Sequence, residues 1–178
     1  MAKAQAGHGR LTLVLGGARS GKSRHAESLI EKLSKPWVYV ATAEARDAEM
    51  AERIATHRAR RGAGWQTVEA PHDLAVAVGK SPGGAALLID CLTLWLSNRM
   101  LAEADMESEI DALEKALATY QGPMVLVANE VGSGIVPDNA LGRRFRDLQG
   151  LLNQRIAARA NRVILMVAGL PLTMKDSP

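Results

Sequence analysis

Residues 16–23 read Gly-Gly-Ala-Arg-Ser-Gly-Lys-Ser, which fits G-x-x-x-x-G-K-S with Gly16, Gly21, Lys22 and Ser23 in the fixed places. That spacing suits a triphosphate. Glycines let successive backbone N–H groups turn toward phosphate oxygens, and a helix opening at the loop adds its positive end. Lys22 can reach the β- and γ-phosphates, and the Ser23 hydroxyl can ligate Mg²⁺. Gly17, Ala18, Arg19 and Ser20 complete the loop. Arg19 either touches phosphate or is solvated, and the spacing leaves both open.

A second stretch, "ERIATHRARRG", sets His57 among Arg53, Arg58, Arg60 and Arg61. A neutral imidazole is a competent nucleophile toward phosphorus near neutral pH. Neighbouring arginines favour the neutral ring, and Arg58, Arg60 and Arg61 are placed by sequence to hold an α-phosphate with paired N–H donors. Residue types alone nevertheless favour the plainer reading, a solvated histidine on a basic helix. Two acids complete the candidates. Asp90 closes the apolar run "AALLID" and Glu130 closes "MVLVANE". Carboxylates at the ends of parallel strands face the phosphate-binding edge, where one of them usually holds Mg²⁺. The alternative for each is an exposed strand-end acid.

The elements that must position these groups alternate along the chain. "LTLVL" (11–15), "WVYVAT" (37–42), "WQTVEA" (65–70), "AALLIDCL" (85–92), "MVLVANEV" (124–131) and "RVILMVAG" (162–169) read as strands. Helical patterns cover 22–33, 47–61, 72–79, 105–120 and 139–160, with Asp105 as a cap and Leu141, Phe145, Leu148, Leu152 and Ile156 on one stripe. Strands apolar on both faces and separated by helices predict a parallel sheet covered on both sides, a three-layer α/β domain. The domain is expected over 11–178, after a loose leader at 1–10, with no internal repeat.

The chain has 178 residues, 47% of them hydrophobic, enough for a full-sized core. Its net charge of +3 and 3% aromatic content argue against a nucleic-acid surface. No apolar run approaches a membrane span. The lone Cys91 permits no internal disulfide and suits a reducing cytoplasm. No Cys/His cluster has metal-ligand spacing, so Mg²⁺ carried with the nucleotide is the one metal expected.

Four segments together carry a family resemblance: "GGARSGKSRHAE", "YVATAEARDAEMAERIATHRARRGAGWQTVE", "LLIDCLTLWLSN" and "ANEVGSGIVPDNALGRRFRDLQGLLNQRIA". They resemble the bifunctional adenosylcobinamide kinase / adenosylcobinamide-phosphate guanylyltransferase of cobalamin biosynthesis, over Leu11 to Lys175. The phosphate loop is common to many families; H-R-x-x-R-x-x-x-W and N-E-V-G-x-G-I-V-P are more specific. The resemblance implies a RecA-like, mostly parallel P-loop NTPase fold, assembled as a homotrimer. It implies two reactions. A nucleoside triphosphate, ATP or GTP, phosphorylates the aminopropanol hydroxyl of adenosylcobinamide. GTP then gives GMP to that phosphate through a histidine, which falls on His57. It also implies nucleotide contacts at Gly16–Ser23, at Ala41, Thr42 and Ala43, at Arg58, Ala59, Arg60 and Arg61, and at Glu69 and Asp90. Two other readings stay in view. A plain small-molecule P-loop kinase would leave His57 inert, and a RecA-like nucleic-acid ATPase would need a basic stripe.

Overall fold

The computed structural model of the protein describes residues 10–177. The first half of the chain alternates β1 (Leu11–Gly16), α1 (Lys22–Ile30), β2 (Trp37–Ala41), α2 (Ala48–Arg60), β3 (Trp65–Glu69), α3 (Leu74–Lys80) and β4 (Ala86–Asp90). The second half adds α4 (Leu92–Leu101), α5 (Met106–Thr119), β5 (Met124–Asn129), α6 (Ala140–Arg159), β6 (Arg162–Val167) and β7 (Leu170–Asp176). The leader expected at 1–10 lies outside the described residues except for Arg10, which pairs with Asp176 at 3.4 Å.

The strands form one sheet in the order β3-β2-β4-β5-β1-β6-β7. Every neighbouring pair is parallel except β6–β7. Its two faces feed two cores. In β4, Leu87 and Ile89 enter the core shared with α3, α4, α5 and α6. Ala86 and Leu88 enter the other, under α1. Side chains alternate across a strand, so a run apolar at every position needs helices on both faces. Leu13, Leu87, Leu88, Ile89 and Leu126 are fully buried, each stabilising the fold by ~1.5–3 kcal/mol as an upper estimate. The parallel arrangement brings the C-terminal ends of β1, β2, β4 and β5 to one edge: Gly16 pairs with Asn129, and Ala41 with Asp90.

Helix starts follow their caps. Asp47 accepts from Met50 N at 2.7 Å, Asn139 from Gly142 N at 2.7 Å, and Asp105 from Glu107 N at 3.2 Å. The helix expected from His72 begins at Leu74, after Asp73. The strand expected over 85–92 ends at Asp90, and Leu92 opens α4 instead. That helix wedges Leu92, Trp95 and Leu96 into the core and buries Thr93 and Asn98 as well. Polar residues are buried in it and Leu101 is exposed, so its sequence shows no clean amphipathic period. The last strand, β7, was also not expected. It is exposed along most of its length and contains Pro171, which a sheet tolerates at an edge. Ala168 (φ 51°) and Gly169 (φ 82°) make the two-residue turn that starts it.

Candidate functional site

The loop after β1 has little freedom. Gly16 has φ 153°, and a Cβ there would lie 2.6 Å from both the Met166 carbonyl oxygen and Ser20 Oγ. Arg19 (φ 54°) and Gly21 (φ 92°) take left-handed conformations that curl the loop back into α1. No side chain caps α1, so its first N–H groups remain for a ligand. Lys22 Nζ donates to the Gly17 carbonyl at 2.6 Å. Burial lowers its proton affinity below the ordinary lysine value.

Opposite this loop lies α2. None of its residues is buried, so the hydrophobic core does not hold it in place. Its arginines tether it. Arg58 pairs with Glu69. The Arg61 guanidinium stacks 3.6 Å from the Tyr39 ring centroid. Arg60 reaches the buried Glu27 on α1, with Nη2 to Oε1 at 3.4 Å.

Two cavities flank His57. One, of about 950 Å³, is lined by Arg19 through Ser23, Arg53, His57 and Arg60 among others. The other, of about 140 Å³, is lined by Lys22, Ser23, Tyr39, Arg53, His57, Arg61 and Asp90 among others. Lys22, Ser23, Arg53 and His57 belong to both walls. The fold thus brings the histidine and the phosphate loop together. Burial lowers the His57 pKa from its ordinary value; Arg60, Arg53 and Arg61 push the same way, against Asp90. The shift favours the neutral ring, the form that can attack phosphorus.

The other residues singled out in the sequence divide. Ala41, Ala43, Arg58, Glu69 and Asp90 line the smaller cavity. Gly16, Gly17 and Ala18 form the loop without lining either cavity, and Ala59 is exposed on the outer side of α2. Thr42 is fully buried. Its Oγ1 donates to the Cys91 carbonyl at 2.7 Å and accepts from Cys91 N at 2.8 Å, joining the ends of β2 and β4. Glu130 lines neither cavity; its Oε1 accepts from Gly132 N at 2.6 Å within its own loop.

Three participants escaped the sequence reading. Arg53 lies one turn before His57 on α2, and the i, i+4 spacing could have found it. Glu27 bears the same relation to Ser23 on α1. Tyr39 precedes Ala41 by two on β2, which places both on one face; its hydroxyl donates to Asp90 Oδ2 at 3.1 Å.

Ser23 and Asp90 face the same small cavity beside Lys22. This hydroxyl–carboxylate pair fits a Mg²⁺ ion held by nucleotide phosphates, since Mg²⁺ keeps few protein ligands. No cluster of three or more His, Cys, Asp or Glu side chains among the described residues could cage a metal alone.

Sheet order, phosphate loop and strand-end carboxylate define a RecA-like P-loop nucleotide-binding protein. Solved structures agree on the fold. A type III secretion ATPase matches with TM-score 0.56 at 12% identity, over 94% of this chain and 57% of that one. A Pyrococcus horikoshii protein matches with TM-score 0.55 at 8% identity, over 94% and 87%. The family model described as cobinamide kinase / cobinamide phosphate guanyltransferase matches residues 12–174, and the chain belongs to that family. The bifunctional adenosylcobalamin biosynthesis protein CobP of Pseudomonas aeruginosa is 48% identical, over 93% of this chain and 98% of its own. CobU of Salmonella typhimurium is 40% identical, over 93% and 99%.

Proposed function

We propose that one triphosphate site serves two successive transfers onto the same corrinoid. The enzyme is a bifunctional kinase and guanylyltransferase of cobalamin biosynthesis. In the first transfer, the aminopropanol hydroxyl of adenosylcobinamide attacks the γ-phosphorus of ATP or GTP. The bond from that phosphorus to the β-bridging oxygen breaks, and the nucleoside diphosphate leaves. In the second, an unprotonated ring nitrogen of His57 attacks the α-phosphorus of GTP, and pyrophosphate leaves. A phosphate oxygen of adenosylcobinamide phosphate then attacks the same phosphorus. The P–N bond breaks, and adenosylcobinamide-GDP forms.

The residues divide the work. The loop from Gly16 to Ser23 holds the β- and γ-phosphates, with Lys22 following the charge on the departing group. Ser23 and Asp90 would hold Mg²⁺, which neutralises phosphate charge. Burial favours unprotonated His57, with Arg60, Arg53 and Arg61 adding to it and offering donors to the α-phosphate. The observation that carries the reading is the shared wall: His57 and Lys22 line both cavities. A plain kinase has no use for a neutral histidine there. Mixing the enzyme with GTP and no corrinoid tests it. One equivalent of pyrophosphate per active site should appear in a burst; its absence would rule out the covalent path.

We also read the enzyme as a homotrimer in the cytoplasm, on the family resemblance and on the lone buried cysteine. Val167, Leu170, Leu172 and Met174 are exposed beside the β6–β7 turn and along β7, which supports self-association. Light scattering should return three times the chain mass; a monomer would overturn the assembly.

A further inference from the structure

A nucleophile set beside a triphosphate site is needed only while that site is filled. The contacts of His57 show how its lone pair is controlled. The Nη2 atom of Arg60 lies 3.2 Å from His57 Nδ1 and 3.4 Å from Glu27 Oε1. Glu27 is buried, with its side chain 10% exposed. A guanidinium can only donate hydrogen bonds. The contact with Arg60 therefore makes Nδ1 an acceptor, and the neutral ring carries its hydrogen on Nε2.

Neither ring nitrogen can attack phosphorus in that arrangement. The Nδ1 lone pair is occupied by Arg60. Nε2 has no lone pair while it bears hydrogen, and moving that hydrogen to Nδ1 requires Arg60 to leave, since Arg60 cannot accept it. Whichever nitrogen takes the GMP, the Arg60–Nδ1 contact must break first. Glu27 gives Arg60 a fixed seat from the helix that the phosphate loop opens. It lines neither cavity itself.

We infer that Glu27, acting through Arg60, latches His57 in an unreactive arrangement, its Nδ1 lone pair occupied, that an anionic triphosphate releases by drawing the guanidinium onto its phosphates. Glu27 is a positioning residue here, and the inference rests on the reading of His57 as the GMP acceptor. Arg60 lines the larger cavity together with the loop, so phosphate oxygens entering there compete with Nδ1 for its donors. The competition favours the ligand, because hydrogen bonds to charged phosphate are stronger than one to a neutral imidazole. The device ties exposure of the nucleophile to occupancy of the triphosphate site.

The test is ¹⁵N NMR of histidine-labelled, full-length enzyme at mildly alkaline pH, with His57 assigned by its loss in His57→Ala. In the free enzyme His57 should show an unprotonated Nδ1 and a protonated Nε2. Adding α,β-methylene GTP, whose α-phosphorus cannot be transferred, should shift the Nδ1 resonance away from its free-enzyme position. Glu27→Gln should produce a shift of Nδ1 with no nucleotide present, Glu27→Asp should reduce it, and Arg60→Met should abolish the latched position without touching a buried residue. A protonated Nδ1 in the free wild-type enzyme overturns the inference. So does an Nδ1 resonance unmoved by Glu27→Gln, by Arg60→Met and by the analogue. Failure of the acceptor reading looks different: the latched tautomer is observed, yet GTP labels some residue other than His57.

Discussion

Thr42→Val separates a structural role from a ligand contact. Thr42 falls within the Ala41–Ala43 turn that the family resemblance assigned to nucleotide. Its side chain is nevertheless fully buried and engages both polar groups of Cys91. Valine fills nearly the same space without the hydroxyl. The Cys91 carbonyl keeps a donor in Trp95 N at 3.3 Å. The Cys91 N–H loses the hydroxyl that accepts from it. Leaving one buried donor unpaired costs ~1–3 kcal/mol, and the second lost bond adds ~0.5–1.5 kcal/mol. Part of this is offset by ~0.8 kcal/mol for the added methyl. The net expectation is a loss of ~1–4 kcal/mol, which for a chain of this size lowers Tm by ~2–15 °C. Urea melts followed by circular dichroism would show it as a lower midpoint with an unchanged slope. Thr42→Ser keeps the hydroxyl and should lose about half as much or less. A Thr42→Val protein within ~0.5 kcal/mol of wild type would refute the reasoning, as would a serine variant just as damaged.

The lowered pKa of His57 predicts that single-turnover guanylylation keeps its rate as pH falls through about 6.5, the ordinary histidine value, and declines only below it. Arg53→Gln removes one of the positive neighbours, so the acid limb should move to higher pH; an unmoved limb would contradict the assignment. Lys22→Ala should slow both the kinase and the guanylyl step by ~10²- to 10³-fold, measured separately by γ- and α-labelled GTP. Loss of the kinase alone would mean two triphosphate sites. Glu114 is a stability prediction. Hydrogen bonding from Arg155, and then from Arg159, holds its carboxyl at about 2. A depressed folded pKa gives stability that is present above the unfolded value near 4.3 and lost as pH falls toward 2. Thermal melts should therefore show a drop across that window worth ~1–3 kcal/mol, flattened in Glu114→Gln.

The parts of this protein legible in its sequence are those fixed by local pattern. The phosphate loop is read residue by residue because Gly16 and Gly21 occupy backbone conformations that other side chains resist. Strands such as β4 and β5 announce themselves by being apolar on both faces. The helices α2, α5 and α6 begin where Asp47, Asp105 and Asn139 cap them. What stayed hidden depends on three-dimensional packing. α4 buries the polar Thr93 and Asn98 beside Leu92, Trp95 and Leu96 and leaves Leu101 exposed, so it lacks the clean stripe that reveals a helix. β7 is an exposed edge with a proline, so it lacks the run that reveals a strand. The site shows the same division. Lys22 and Asp90 stood out by type and position, and His57 through the family motif. Glu27 and Tyr39 act only because α1 and β2 carry them beneath Arg60 and Asp90. Glu130 falls just beyond β5, which ends at Asn129, and its carboxylate turns back to Gly132 and leaves the cavities to Asp90 and Asn129.

The central claim is that GMP passes through His57, and covalent labelling tests it most directly. Incubating the enzyme with GTP labelled at the α-phosphate, without corrinoid, should leave one acid-labile, base-stable label per site. That label should map to the peptide carrying His57, chase onto added adenosylcobinamide phosphate, and be absent from a folded His57→Ala protein. A label that persists in His57→Ala, or adenosylcobinamide-GDP formed by that variant at the wild-type rate, would contradict the account.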